Sequence, residues 1–236
     1  MWRLNRIDLL AGRFITVEGG EGAGKTTQIT ALKKRLNDLG IDVVVTREPG
    51  GSPGAEAIRE VILSGKAKDL GVRGEALLFA AARADHVDTI IRPALAKGQW
   101  VISDRFADST RVYQGEGGLD DSYLDLLETV AVDGIRPDLT ILIDIPAKIG
   151  LARVSKRATT VAAGGPDRFE AEDTKTHERR RQLFLNLARK EPERFAVIDG
   201  TEAADHVEKD IWSAVELNFE SDLSLDNTPS TAIGGR

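Results

Sequence analysis

One eight-residue run, at positions 19–26, constrains the fold more than any other feature of this sequence. It fits the pattern G-x-x-x-x-G-K-[ST] at every required position. It stands directly after a β-branched, apolar stretch at 14–18 and directly before the regularly spaced Ile29, Leu32 and Leu36. These flanks predict a strand and an amphipathic helix, and glycines between them let backbone N–H groups turn towards phosphate oxygens. The candidate nucleotide-binding residues are Gly19, Gly20, Glu21, Gly22, Ala23, Gly24, Lys25, Thr26 and Thr27.

Lys25 and Thr26 carry the side-chain chemistry of this loop. A lysine at this position reaches the β- and γ-phosphates, and the adjacent hydroxyl is placed to ligate Mg²⁺. The sequence therefore predicts ATP and Mg²⁺ as cofactors, with Lys25 as a catalytic residue and with Thr26 and Asp104 as metal ligands. A GTPase is disfavoured because the sequence contains no Asn-Lys-x-Asp guanine-reading motif.

Five short, nearly continuous apolar segments predict buried strands, at 14–18, 42–47, 100–104, 139–145 and 195–199. Helical patterns separate them, at about 25–39, 55–63, 74–96, 122–131, 147–157, 171–190 and 203–217. Alternation of strand and helix is typical of a parallel sheet covered on both faces. The fold class predicted is therefore α/β: a P-loop NTPase-type three-layer sandwich around a five-stranded parallel sheet, with a small lid.

Composition excludes several classes of function. The 236 residues carry a formal net charge of −6, which argues against a nucleic-acid partner. With no Cys and only three His at unsuitable spacing, a thiolate or histidine metal site is not expected. No apolar run approaches the roughly 18–20 residues of a membrane span, and the first twelve residues make a poor signal peptide. We expect a cytoplasmic protein without a membrane partner.

Asp104 and Arg105 follow the third predicted strand directly. Ligands of open α/β sheets bind at the carboxyl ends of the strands, where a guanidinium can pair bidentately with a phosphate monoester. Arg105 is therefore a candidate catalytic and substrate-binding residue. The alternative is a purely structural Asp104–Arg105 pair.

Several motifs together resemble bacterial thymidylate kinases, and the resemblance spans about 14–217. Besides the glycine-rich loop, they are Thr-Arg-Glu-Pro-Gly-Gly at 46–51, Phe-Ala-Ala-Ala-Arg at 79–83, Asp-Arg at 104–105, Tyr-Gln at 113–114 and Arg-Pro-Asp-Leu-Thr at 136–140. The resemblance implies transfer of the ATP γ-phosphoryl group to dTMP, giving dTDP, with Mg²⁺ and in a homodimer.

The resemblance also implies substrate contacts. Glu21 is expected to accept the 3′-hydroxyl of the nucleotide, Phe79 to stack on the pyrimidine, and Arg83 to donate to a base carbonyl or to the monophosphate. The family's turn after the second strand predicts a cis Glu48–Pro49 peptide. Phe79 could instead be plain core, and Tyr113 a half-buried surface ring. The candidate substrate-binding residues are Glu21, Glu48, Pro49, Phe79, Arg83, Arg105, Tyr113 and Gln114.

The family's lid corresponds to about 153–170, and the small residues of 158–167 predict a mobile segment. One branch of the family has a catalytic Arg after the P-loop acid, where this chain has Gly22. The transition-state cation is therefore expected from the lid, from Arg157 first and Arg153 second, whereas 179–181 are expected to form a solvated helix face. Replacement of Gly22 by Arg is expected to restore part of a lost lid function, provided that the loop has room.

The two ends of the chain are expected to lie outside the folded domain. We expect an N-terminal extension at 1–12, a single domain at 13–218 and a flexible C-terminal tail at 219–236.

Two alternative functions remain open. The first is a kinase for another nucleoside, deoxynucleotide or small metabolite; it would not need the cations Arg83 and Arg105 if its acceptor carries no phosphate. A regulatory ATPase is the second, and the basic lid-like segment argues against it.

Overall fold

The computed structural model describes residues 12–160, 169 and 172–223, with only the backbone of residues 157–160. In these ranges five strands form one parallel sheet, in the order β2-β3-β1-β4-β5. The predicted fold class and strands are confirmed, each strand to within one residue. The strands are β1 (Phe14–Glu18), β2 (Val43–Arg47), β3 (Trp100–Asp104), β4 (Leu139–Asp144) and β5 (Phe195–Asp199).

Helices connect and cover these strands. Those found where the sequence predicts them are α1 (Lys25–Asp38), α2 (Pro53–Leu63), α3 (Gly71–His86), α4 (Arg92–Ala96), α6 (Asp121–Val132), α7 (Ala147–Thr160), α8 (Thr174–Lys190) and α9 (Ala204–Asn218). The single helix predicted at 74–96 is divided by a π-helical turn, Val87–Ile91. Pro93, near the start of α4, has no N–H to donate, and the helix widens just before it.

Helix α5 (Ala107–Glu116) was not predicted. Its buried residues include Asp108, Thr110 and Gln114, so the apolar stripe that reveals a helix in a sequence is largely replaced by polar side chains. A short 3₁₀ helix, Lys66–Leu70, and the four-residue helix α10 (Glu220–Leu223) also went unpredicted.

The sheet separates two layers of core. On one face, Ile15 and Val17 pack with residues of α1 and α9. On the other, Phe14 packs with the π turn, α4 and α6. Alternate residues of β1 thus serve opposite faces, as the pleat of a strand requires. The P-loop follows β1 and the Asp104–Arg105 pair follows the adjacent β3, so both lie at one edge of the sheet.

The folded region extends beyond the predicted boundary at residue 218. Phe219 is buried and packs edge-on against Trp100, with ring centroids 4.9 Å apart. Asp222 accepts two hydrogen bonds from Arg13, at 2.9 and 3.1 Å. Residues 219–223 therefore belong to the domain and not to a tail, because an aromatic anchor and an ion pair hold them against it. The remainder of the predicted tail, residues 1–11 of the N-terminal extension, and most of the predicted mobile segment lie outside the described residues.

Helix α7 continues to Thr160, three residues past its predicted end, so the segment predicted to be mobile begins as helix. Among the helices of the described ranges, none combines the length and the apolar character that a bilayer crossing needs.

Candidate active site

The glycine-rich loop ends where α1 begins. Gly24 caps the helix with a φ of 94°, and Gly19 and Gly22 also have positive φ, a conformation that favours glycine. The first N–H groups of α1 have no carbonyl partner within the helix and are available to an anion. A Cβ at Gly20 or Gly24 would meet no atom within 4 Å, so the loop has open space beside its backbone.

Lys25 lies buried within the loop it follows. Its Nζ donates to the carbonyl oxygens of Gly19 and Gly20, at 3.2 and 3.3 Å. Burial and the neighbouring charge of Arg105 lower the pKa of this ammonium. Its hydrogen-bond partners are neutral carbonyls, so an anion entering the loop would stabilise the charge. The loop therefore fits a polyphosphate.

The Asp104–Arg105 turn is held in an unusual conformation. Arg105 has a φ of 72°, in the left-handed region that non-glycine residues rarely adopt. The carboxylate of Glu18, at the end of β1, accepts hydrogen bonds from Phe106 N at 2.8 Å and from Ser109 Oγ at 2.7 Å. Burial is the largest influence on Glu18 and raises its pKa to about 7. The strained backbone of Arg105 persists because surrounding contacts, such as the hydrogen bonds to Glu18, hold the turn in place.

The side chain of Arg105 is directed by the same turn. Nη2 donates to Glu21 Oε1 at 2.6 Å, and Nη1 donates to Ser109 Oγ at 3.1 Å. Tyr113 Oη also donates to Glu21 Oε1, at 3.1 Å. Burial alone would raise the pKa of Glu21, but the charges of Arg105 and Lys25 outweigh it and lower the pKa to about 2. Arg105 therefore pairs with Glu21, and the charge of Asp104 acts on it as well.

Thr26 and Asp104 both line the cleft above the loop, as the metal prediction requires. The described residues contain no cluster of three or more His, Cys, Asp or Glu side chains suited to a metal. One hydroxyl and one carboxylate nevertheless fit Mg²⁺, which is bound through few protein ligands, water and substrate phosphates.

A second set of side chains lines the same cleft. Arg83, only 3% exposed, donates from Nε to Glu48 Oε2 at 2.8 Å. Gln114 is also buried and donates to Glu75 at 2.9 Å. The predicted cis peptide between Glu48 and Pro49 is confirmed. The structure thus brings all the predicted substrate-binding residues into one cleft with the P-loop: Glu21, Glu48, Pro49, Phe79, Arg83, Arg105, Tyr113 and Gln114.

Comparison with known sequences decides the family. A family model described as thymidylate kinase matches residues 17–211. The thymidylate kinase of Nitrobacter hamburgensis is 50% identical over 211 residues, which cover 89% of this chain and 90% of that protein. The thymidylate kinase of a Bradyrhizobium species is 51% identical over 205 residues, 86% of this chain and 89% of that protein. The chain belongs to the thymidylate kinase family. The resemblance drawn from the motifs is confirmed.

The P-loop of this thymidylate kinase family member packs against α7 through two glycines. A Cβ on Gly22 would lie 2.2 Å from the carbonyl oxygen of Gly150, and a Cβ on Gly150 would lie 2.2 Å from that of Glu21. Real Cβ atoms do not approach backbone so closely, and Gly22 also has a φ of 71°. The condition set for replacing Gly22 by Arg, that the loop has room, is therefore not met, because backbone fills the space.

The two lid candidates have different outcomes. Arg153 Nη2 donates to the carbonyl oxygen of Gly200 at 3.1 Å, and Arg153 is not among the residues that line the cleft. The backbone of Arg157 lies in α7, but its side chain lies outside the described residues. The structure therefore does not bring Arg153 to the P-loop, and it leaves the prediction for Arg157 untested.

Sequence reasoning missed Arg180. The prediction of a solvated face at 179–181 is wrong for this residue, which is 6% exposed. Its guanidinium carbon lies 4.3 Å from the ring centroid of Tyr113, and it pairs with Glu116 and Glu172. The signal was present in the sequence, because Arg180 is four residues before Phe184 and so shares its buried helical face.

Proposed function

We propose that this chain transfers the γ-phosphoryl group of ATP to dTMP, giving dTDP and ADP. The observation that carries the proposal is one cleft lined by two separate cations, Lys25 in the phosphate-binding loop and Arg105 at the end of β3. A reaction between a triphosphate and a monophosphate needs a cation for each. Membership in the thymidylate kinase family supports dTMP as the acceptor.

On the donor side, the loop N–H groups and Lys25 bind the β- and γ-phosphates of ATP. These groups are fixed before the nucleotide arrives, so they stabilise transferred charge without reorganising. Thr26 and Asp104, together with phosphate oxygens, would hold Mg²⁺, which would neutralise further charge on the phosphates when bound.

On the acceptor side, Arg105 pairs with the monophosphate of dTMP. Glu21, with its pKa of about 2, is ionised near neutral pH and accepts the hydrogen bond of the 3′-hydroxyl. Phe79 stacks on the pyrimidine, and Arg83 donates to a base carbonyl. Glu48, Pro49, Tyr113 and Gln114 complete the pocket.

The transferring group needs a further cation, because Gly22 leaves the P-loop without an Arg at that position. We assign this role to Arg157; Arg153, the second candidate, would first have to leave the carbonyl oxygen of Gly200. The guanidinium of Arg157 would donate hydrogen bonds to the transferring phosphoryl group, where charge develops during transfer.

The experiment is a coupled assay of ADP release with ATP, Mg²⁺ and one acceptor at a time. The acceptors are dTMP, dUMP, dCMP, dGMP and AMP, with thymidine as the unphosphorylated control. We expect dTMP to give the highest kcat/KM and thymidine to give no turnover. Turnover of thymidine above that of dTMP would refute the proposal in favour of a nucleoside kinase, and hydrolysis unaffected by any acceptor would favour a regulatory ATPase.

We also propose that the protein forms a homodimer. Helix α6 exposes Leu126 and Val130, at 61% and 72%, four residues apart on one face, and α3, which packs against α6, exposes Leu77. Apolar side chains grouped in this way favour burial against a second chain. The double variant Leu126→Glu, Val130→Glu should elute as a monomer in size-exclusion chromatography with light scattering, whereas a monomeric wild type would refute the proposal.

A further inference from the structure

The turn at 46–51 contains the most specific motif of the sequence, yet the proposed reaction uses only Glu48 and Pro49. The structure shows what the turn is built on. His86, the last residue of α3, is completely buried against it. Its Nδ1 lies 3.0 Å from Glu48 Oε1, and its Nε2 lies 2.6 Å from Thr46 Oγ1. A carboxylate oxygen accepts, so Nδ1 donates. One imidazole thus ties two positions of the turn to the end of α3.

Glu48 contacts Arg83 as well as His86, so its position also constrains the side chain of Arg83. One carboxylate oxygen accepts from His86 and the other from Arg83 Nε, at 2.8 Å. Arg83 Nη2 donates in turn to Thr110 Oγ1 at 3.0 Å and to the carbonyl oxygen of Phe106 at 3.3 Å. Among the described residues, nothing accepts a hydrogen bond from Nη1. Two of the three guanidinium nitrogens are therefore held by protein, and the third is left for a ligand in the cleft that Arg83 lines.

Gly51 shows how tightly the turn closes over this imidazole. Its φ is 89°, and a Cβ there would lie 2.4 Å from Thr46 Oγ1 and 2.7 Å from His86 Nε2. A side chain at position 51 would therefore collide with the hydrogen bond between Thr46 and His86. The Thr, the Glu and the second Gly of the motif are all explained by contact with His86.

We propose that His86 is the positioning residue for base recognition: it fixes Glu48 so that Arg83 presents Nη1 at one place. This inference rests on the proposed function. A guanidinium carries only donors, so a fixed Nη1 favours a pyrimidine with a carbonyl oxygen at ring position 4 over one with an amino group there. If Glu48 is displaced, only the Nη2 hydrogen bonds to Thr110 and Phe106 still hold the guanidinium, so Nη1 can turn about them and tolerate either group at ring position 4. His86 thereby sets the preference for dTMP over dCMP without touching the substrate.

The test uses two variants and one control. His86→Phe keeps the ring volume and removes both hydrogen bonds, and Thr46→Val keeps the shape at position 46 and removes only the bond to Nε2. Val215→Ala, in the core between the sheet and α9, lowers stability away from the cleft. For each enzyme we would measure KM for dTMP, KM for ATP, and the ratio of kcat/KM for dTMP to that for dCMP.

We expect His86→Phe to raise KM for dTMP by about tenfold and to lower the dTMP/dCMP ratio by about tenfold, with KM for ATP nearly unchanged; this is the scale of one charge-assisted hydrogen bond. Thr46→Val should shift both values in the same direction by a smaller factor. Val215→Ala should lower the melting temperature and leave the ratio unchanged.

An unchanged ratio in folded His86→Phe, or a ratio that falls equally in Val215→Ala, would overturn the proposal. If His86→Phe does not fold, Thr46→Val decides by the same ratio: a lowered ratio supports the proposal and an unchanged one overturns it. A wild-type enzyme without activity on dTMP would instead refute the proposed function, and this inference with it.

Discussion

The two halves of the cleft are constructed differently. The half around Lys25 is one unbroken run of backbone, with glycines where the chain turns and where α7 approaches. The half around Arg83 is made of side chains from the turn after β2, from α3 and from α5, joined through Glu48. In the first half, the space beside the backbone limits which side chains the structure tolerates. In the second half, the arrangement depends on the hydrogen-bond partners of Glu48 and Arg83. Added atoms should therefore damage the P-loop half most, and lost partners the other half.

The largest effect is expected from removal of the P-loop cation. Lys25→Ala should lower kcat by about 10³-fold, because the ammonium stabilises charge on the phosphates. Its melting temperature should be unchanged or higher, since burial of a charge opposes folding. The control is Lys34→Ala, on the exposed side of the same helix, where the lysine pairs with Asp38. Near-normal turnover of Lys25→Ala would remove the basis for the P-loop assignment.

Gly22→Ala tests the limit of space. We expect the free energy of unfolding to fall by about 2–4 kcal/mol, from overpacking and from the left-handed backbone. Gly40→Ala is the matched control: its φ is 84°, but a Cβ there meets no atom within 4 Å. It should cost only the backbone part, about 1–2 kcal/mol. Urea unfolding measures both, and equal losses would show that the contact with Gly150 is unimportant.

Arg157→Ala tests whether the P-loop half takes its missing cation from α7. We expect kcat to fall by at least about 10²-fold with little change in KM for ATP, as for a donor that acts mainly in the transition state. Arg153→Ala should have a smaller effect, because Arg153 donates to Gly200. Arg179→Ala, on the exposed face of α8, is the control. If Arg157→Ala and Arg153→Ala both keep near-normal kcat, another residue supplies the cation.

Arg105→Ala separates the two substrates. Loss of charge-assisted hydrogen bonds to the acceptor phosphate should raise KM for dTMP by about ten- to a hundredfold, while KM for ATP changes little. Arg111→Ala, which removes a guanidinium of α5 outside the cleft, should leave both KM values unchanged. Equal increases for dTMP and ATP in Arg105→Ala would mean that Arg105 only holds the turn.

The same contrast explains what the sequence could reveal. The P-loop is contiguous, so its pattern and its flanking strand and helix were sufficient to place it. The network through His86 joins Thr46 and Glu48 of the turn to Arg83 and His86 of α3. Within each pair the residues are close in sequence, but no spacing rule shows that the two pairs meet. Helix α5 escaped prediction because its buried positions include Asp108 and Gln114, and Arg180 because a charged residue occupied the apolar face of α8. Prediction from the spacing of apolar residues misses an element or a buried residue when the buried side chains are polar.

The contact between Gly22 and Gly150 also bears on how such enzymes can evolve. Neither position can gain a side chain alone, because each would strike the backbone of the other segment. A descendant that acquired an arginine at this position of the P-loop would first have to shift α7 away from the loop. A variant in which α7 had already shifted, but which still lacked the loop arginine, would have lost packing contacts without any gain. The glycine pair therefore makes the present arrangement hard to leave by single substitutions, even towards a loop arginine that would assist catalysis.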